Sequence, residues 1–192
     1  MKKYRRDWDY DEILEHGNFK PTDDVLETGA MWSFFSLELS PKVHSITVTD
    51  SWAWANRKFV GEHDVPTGLE WATQIGEGVN NTVVAQAEIE DLGYDDASFD
   101  KVVCISAIEH VENDRKGIEE MMRVLKPGGL LLLTTEYNPD KPDKVFDADG
   151  TFYRIYDHKG IEELVKGYNL IMQEVASTSF DSYTTLLIVL QK

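Results

Sequence analysis

What most constrains this chain is a rhythm along it. Short apolar runs, each long enough for one strand, alternate with segments whose apolar residues recur at helical spacing. LLLLTT (130–135) is apolar on both alternating sides, as a strand covered on both faces should be. KVVCISAI (101–108) reads the same way. Between them, DRKGIEEMMRVLK (114–126) puts Ile118, Met121, Met122 and Leu125 on one helical face, and PGG (127–129) supplies a stop and a turn. DVLET (24–28), VHSITVT (43–49) and NTVVAQ (81–86) are further strand candidates. WSFFSLELS (32–40), stopped by Pro41, and HKGIEELVKGY (158–168) have helical period.

Strands alternating with helices predict an α/β fold, a mostly parallel sheet with helices on both faces. LIMQEVAS (170–177) and YTTLLIVLQ (183–191) have no helix between them, which predicts an antiparallel member at one edge. No linker or repeat interrupts residues 1–192, so one domain is expected. Two connections, about 51–82 and 136–157, are longer than the fold needs, and long connections often carry binding.

Charge narrows the function. The formal net charge is −16, which repels phosphate backbones and argues against nucleic acid as a partner. The one basic cluster, Lys2, Lys3, Arg5 and Arg6, is answered at once by Asp7, Asp9 and Asp11. No apolar run reaches membrane length, and the basic start lacks the apolar stretch of a signal peptide. With its single Cys104 in an apolar run, a cytoplasmic, reducing home is expected. The five histidines, His16, His44, His63, His110 and His158, include no pair at metal-ligand spacing, and His44 falls within a strand. DADG (147–150) lacks the first and last ligands of a calcium loop, since Val145 and Tyr156 stand there. No metal is expected.

In open α/β sheets, ligands bind outside the carboxyl ends of the strands. Residues following the strands are therefore the candidates. They are Glu27 with Gly29; Asp50, then Ser51 and Trp52; Glu88 with Ile89; Ser106 through Glu109 and His110; and Glu136 with Tyr137 and Asn138. Carboxylates in a row make a poor phosphate site and a good site for a positively charged nucleoside. Asp50 is placed to accept both ribose hydroxyls, and Glu88 to accept an adenine amino group. The competing assignment is that each acid caps the helix that follows it.

YDDASFDKVVCISAIEHVENDRKGIEEMMRVLKPGGLLLLTT (94–135) closely resembles the class I S-adenosylmethionine-dependent methyltransferases, in particular the small-molecule group often called type 11. The D-x-SFD, EHV and RVLKPGG elements stand in that family's order and spacing. The resemblance implies a Rossmann-like, seven-stranded, mostly parallel sheet whose last strand is antiparallel. It also implies S-adenosylmethionine as cofactor and S-adenosylhomocysteine as product. Carried over, it puts Glu27 and Gly29 in the first motif and Asp50, with Ser51, at the ribose acid. Glu88 and Ile89 fall at the adenine motif, Ser106 beneath the methionine moiety, and Glu109 and His110 on the EH pair. LETGAMWS departs from the pattern, because Met31 and Ser33 stand where the second and third glycines belong. Either the loop turns Met31 into the core, or the cofactor binds weakly, or the ligand has changed.

The resemblance implies methyl transfer, with Glu109 and His110 as the catalytic candidates, and because the charge argues against nucleic acid the expected acceptor is a small molecule, such as a sugar or metabolite hydroxyl. A neutral His110 can take a proton from an acceptor hydroxyl. Aromatic residues of the long connections, Trp52, Trp54, Phe59 and Trp71, then Tyr137, Phe146, Phe152, Tyr153 and Tyr156, are expected either to line the acceptor pocket or to pack loop onto core. Two other functions are open: a non-catalytic methyltransferase-like domain that binds a ligand or regulates a partner, and a nicotinamide-dependent oxidoreductase. The missing G-x-G-x-x-G turn and the LKPGG and EHV elements speak against the oxidoreductase.

Overall fold

The computed structural model describes residues 7–53, 67–78, 80–140, 142–146, 152–179 and 183–192. Along the chain come α1 (Asp7–His16), β1 (Asp24–Thr28), α2 (Phe35–Leu39), β2 (Ser45–Asp50), α3 (Gly68–Gly78), β3 (Thr82–Gln86) and β4 (Phe99–Ile105). They are followed by α4 (Asp114–Val124), β5 (Leu125–Tyr137), β6 (Asp143–Phe146), β7 (Phe152–Ile155), α5 (His158–Val165), β8 (Asn169–Ser179) and β9 (Thr184–Gln191). Two 3-10 turns, Ser40–Lys42 and Ile108–His110, follow α2 and β4.

Seven strands form one sheet in the order β3-β2-β1-β4-β5-β9-β8. The first five pair in parallel. β9 is antiparallel to both β5 and β8. The antiparallel strand therefore lies second from the edge, not at the edge. Burial explains the placement. Leu186 through Leu190 of β9 are all at most 3% exposed, whereas β8 leaves Leu170, Ile171 and Val175 in solvent. The strand with the unbroken apolar run goes inside.

The continuous runs serve two cores. In β4, Val102 and Cys104 face the side covered by α4 and α5, while Val103 and Ile105 face α1, α2 and α3. Leu131 and Leu133 of β5 alternate with Leu132 in the same way. α4 adds Ile118, Met121 and Met122 to the first core; α1 and α3 add Tyr10, Ile13, Trp71 and Ile75 to the second. Each fully buried side chain of this size stabilises by about 1.5–3 kcal/mol. α4 starts on Asn113, whose side chain accepts from the Lys116 amide at 3.3 Å, and α5 on Asp157, which accepts from the Gly160 amide at 2.7 Å.

Several sequence expectations shift. α4 ends at Val124, before the PGG. The PGG lies within β5, where the register against β4 jumps from Phe99↔Leu125 to Lys101↔Leu130 and the extra residues bulge out. Gly128 takes φ +81° there, which suits glycine. The helix expected from Trp32 begins only at Phe35, because Trp32 adopts φ +61°. His44 precedes β2 and is exposed instead of lying in the strand. β6 and β7 form a separate antiparallel hairpin inside the long 136–157 connection. Among the described residues, no helix is long and apolar enough to cross a membrane.

Candidate active site

The sheet's connectivity reverses between β1, whose chain continues outward to β2, and β4, whose chain continues the other way to β5. Such a switch point opens a crevice at the strand ends. Glu27, Gly29 and Ser106 all lie here, because β1 and β4 end side by side.

Gly29 has φ +65°, and a Cβ on it would come within 2.5 Å of the Ala107 Cβ and 3.0 Å of Ile89 Cδ1. Both conformation and space demand glycine. Ile89, 9% exposed, sits between this position and Gly117, where an added Cβ would meet Ile89 Cγ2 at 2.9 Å. The loop after Gly29 is stitched to the end of β2. Ala30 donates its amide to Thr49 O at 3.1 Å, and Met31 donates its amide to Asp50 Oδ2 at the same distance. Asp50 Oδ1 accepts from the Trp52 amide at 2.9 Å. Burial raises the Asp50 carboxyl above its usual range, opposed by these amides of Trp52 and Met31. Ser51 follows, its hydroxyl accepting from the Ala53 amide at 3.3 Å. Glu88 is exposed at the mouth; partial burial first, and the Asp50 charge second, raise its carboxyl.

The two missing glycines have specific occupants. Met31 is half-buried and packs against the apolar cluster under α1, α2 and α3, so the loop turns this side chain toward the core. The Ser33 hydroxyl donates to Glu27 Oε1 and lies 3.2 Å from Tyr10 Oη, which itself accepts from the Phe34 amide at 2.8 Å. The Trp71 indole N–H donates to the Ser33 carbonyl. Glu27 is 1% exposed, and burial, only partly offset by the Ser33 hydroxyl and the Ser36 amide, pushes its carboxyl up to about 7. Its second oxygen, Oε2, has no hydrogen bond from the described residues. A buried acceptor left open at a sheet switch point is the place a cationic or N–H-bearing ligand group would fill. With Gly29 and the acids Asp50 and Glu88, this end of the crevice fits a nucleoside carrying a positive charge.

The other end is built after β4. Ser106, 9% exposed with φ +43°, donates its amide to Thr134 O at 3.0 Å. Glu109, 1% exposed on the 3-10 turn, accepts from Thr135 Oγ1 at 3.0 Å. His110 is half-buried, its Nδ1 3.1 Å from the Phe152 carbonyl of β7 and its ring 5.6 Å from that of Tyr153. The Tyr153 hydroxyl donates to Glu136. Ala107 links the two ends by packing against Gly29. The candidate residues thus lie at or after the carboxyl ends of β1, β2, β3 and β4.

The aromatic residues divide. Trp71, Tyr137 and Tyr156 are buried and pack loop onto core, and Trp52 lies 6.4 Å from Trp71. Phe152 and Tyr153 flank His110. Trp54, Phe59, His63, the DADG segment and the Phe146 side chain lie outside the described residues. Elsewhere, the structure brings His16 Nε2 within 3.3 Å of Glu12 and 3.9 Å of Glu174, a grouping that histidine spacing alone did not show. A cavity of about 480 Å³ lies between α4, β7 and α5, lined by Arg115, Arg154 and Leu164 among others, and shares none of the crevice residues. Tyr10, Thr135 and Arg154 were missed from sequence. Arg154 carried a faint signal, a single cation among alternating aromatics in FYRIY.

Comparison with known proteins gives a consistent result. Residues 30–133 match the family model described as a methyltransferase domain. The chain is 39% identical over 118 residues to an uncharacterized methyltransferase, YcgJ, of Bacillus subtilis (62% of this chain, 42% of that protein). It is 30% identical over 108 residues to the ubiquinone/menaquinone biosynthesis C-methyltransferase UbiE of Idiomarina loihiensis (56% of this chain, 38% of that protein). It thus spans about two fifths of the length of these relatives. Among solved structures, a 1,6-didemethyltoxoflavin-N1-methyltransferase from Burkholderia thailandensis, with bound 1,6-didemethyltoxoflavin and S-adenosylhomocysteine, superposes with a TM-score of 0.76 at 14% identity. That match covers 100% of this chain and 79% of the other; at this identity the likeness is one of fold.

Proposed function

Because the chain belongs to the methyltransferase domain family, we propose that it transfers a methyl group from S-adenosylmethionine to a hydroxyl of a small-molecule acceptor. The observation that carries this is the buried Glu27 with its open Oε2, two residues before Gly29 at the sheet's switch point. S-adenosylmethionine supplies a methyl group made electrophilic by its sulfonium, so the protein's task is to position and to exclude water.

The chain's own residues divide that task. Asp50, with Ser51 beside it, would accept from the ribose hydroxyls, and Glu88 from the adenine amino group. Ile89 would pack on the base. Gly29 lets backbone come close, and Ser106 would floor the methionine end. Glu27, when charged, would face the cationic amino-acid end of the cofactor. Glu109, fixed by Thr135, would keep negative potential under the methyl group and favour a cationic cofactor over a neutral product. The Phe152 carbonyl can only accept, so His110 Nδ1 carries the proton, and in the neutral ring Nε2 is the basic atom. That nitrogen would take the proton from the acceptor hydroxyl. Phe152 and Tyr153 would form an aromatic wall for the acceptor.

The test is calorimetric titration with S-adenosylmethionine and S-adenosylhomocysteine, alongside Asp50→Ala. Binding that Asp50→Ala abolishes supports the reading; no heat at about millimolar ligand refutes it. A panel of sugar and phenolic hydroxyl acceptors then follows, since the relatives include a quinone-biosynthesis methyltransferase. Tight binding without methyl consumption across the panel would favour the non-catalytic, ligand-binding alternative.

A further inference from the structure

Arg154 lies on β7 and is 6% exposed. A buried guanidinium is costly unless its donors are used; among the described residues Nε has no hydrogen bond, and the two terminal nitrogens converge on one stretch of chain. Nη2 donates to the carbonyls of Val111 at 2.6 Å and Glu112 at 2.8 Å. Nη1 donates to Asp114, with which Arg154 is ion-paired. The Tyr156 hydroxyl donates to the same Asp114 oxygen at 2.9 Å. The guanidinium also lies 4.5 Å from the Phe152 ring centroid and 5.7 Å from that of Tyr156.

The grouping matters because of where it sits. Residues 111–114 are the four that follow His110. β7 supplies the Phe152 carbonyl to His110 Nδ1 and the Tyr153 ring against its face. The far end of the hairpin is tied to the sheet, since the Tyr156 amide donates to Glu136 O at 3.0 Å and the Asn138 amide to Tyr156 O at 2.8 Å. The near end is tied to the His110 turn through Arg154, among the described residues the one side chain of β7 with hydrogen bonds to residues 111–114. That fork adds to the His110–Phe152 bond, the Tyr153 ring contact and the Tyr156–Asp114 bond just beyond β7.

We propose that Arg154 is a positioning residue for His110. By clamping β7 to residues 111–114, it holds the Phe152 carbonyl against Nδ1, fixes the Nδ1–H tautomer, and so presents Nε2 as the basic atom. Arg154 would act through His110 rather than on the acceptor or the cofactor. The proposal rests on the reading of His110 as the proton acceptor. A lysine cannot replace it, because a point charge on a flexible stem cannot serve two carbonyls and a carboxylate from one plane.

The test compares wild type with Arg154→Lys by ring-nitrogen NMR of His110, cofactor calorimetry and steady-state kinetics with a hydroxyl acceptor. The expected result is a wild-type Nδ1–H tautomer that is lost in Arg154→Lys. Cofactor affinity should stay within about twofold, and kcat should fall at least about tenfold while acceptor KM changes little. A His110 that keeps its Nδ1–H tautomer in Arg154→Lys overturns the proposal. A lost tautomer with unchanged kcat sustains the positioning role and removes His110 as the base. Should Arg154→Lys not fold, Asp114→Asn, which keeps the shape and removes the charge that orients the fork, carries the same NMR test.

Discussion

If Glu27 faces the cationic end of the cofactor, cofactor affinity should depend on pH through Glu27. In the free protein the carboxyl is pushed up to about 7 by burial. The folded state therefore holds this proton more tightly than the unfolded chain does. Its contribution to stability is fully present below the ordinary value of 4.5 and is lost as pH rises to about 7, a change worth roughly 3 kcal/mol. A positive ligand reverses the preference, since it is stabilised by the charged form. Binding should release a proton below pH 7, and affinity should fall about tenfold for each pH unit of acidification, down to the carboxyl's value in the complex. The assay is calorimetry from about pH 5.5 to about 8.5, repeated at about pH 6 in two buffers of different ionisation enthalpy. Asp50 and Glu88 are also raised, so Glu27→Gln is the control that isolates this group. Glu27→Gln should bind more weakly at high pH and lose most of the slope. A flat profile in wild type, or the full slope retained in Glu27→Gln, would refute the argument.

Two further outcomes test the loop. Gly29→Ala forces a side chain against Ala107 and Ile89 in a left-handed conformation, and should cost about 1–3 kcal/mol in urea denaturation while abolishing cofactor binding. Tyr10→Phe removes the acceptor of the Phe34 amide and the contact to Ser33, and should cost about 1–3 kcal/mol; an unchanged midpoint would mean that the hydroxyl does not hold the loop.

The sheet was legible where single residues decide local structure. β4, β5 and β9 announce themselves because both faces are covered, and α4 because its apolar face repeats. Strand-end acids were legible for the same reason: once the strands are known, Glu27, Asp50 and Glu88 are next in line. α1 was not, because in DWDYDEILEH, among the described side chains, only Asp9, Tyr10 and Ile13 are buried, amid acids such as Asp11 and Glu15 that are exposed. α3 reaches the core through Trp71, Ala72 and Ile75, a stripe too narrow to stand out. The place of β9 between β5 and β8 depends on which strand buries better, a comparison across distant segments. Ser33 looked like damage to a glycine motif, yet its hydroxyl has partners on β1 and α1. Arg154 acts on residues about forty positions away, beyond any local pattern.

The position of β9 also sets an order of events. β8 pairs only with β9 in the sheet, so it has no template on β5 until the later strand is present. As the chain emerges during synthesis, β3 through β5 can assemble first, leaving the β5 edge open with its Leu130–Thr135 run unpaired. β8 and β9, being close in sequence, can zip together as a hairpin and then dock as one piece, joining residues about fifty to sixty positions apart in a late step. Until that docking, β5, which carries Thr134 and Thr135, is held from one side only, so the bonds these residues make to Ser106 and Glu109 gain their full backing only when β9 arrives.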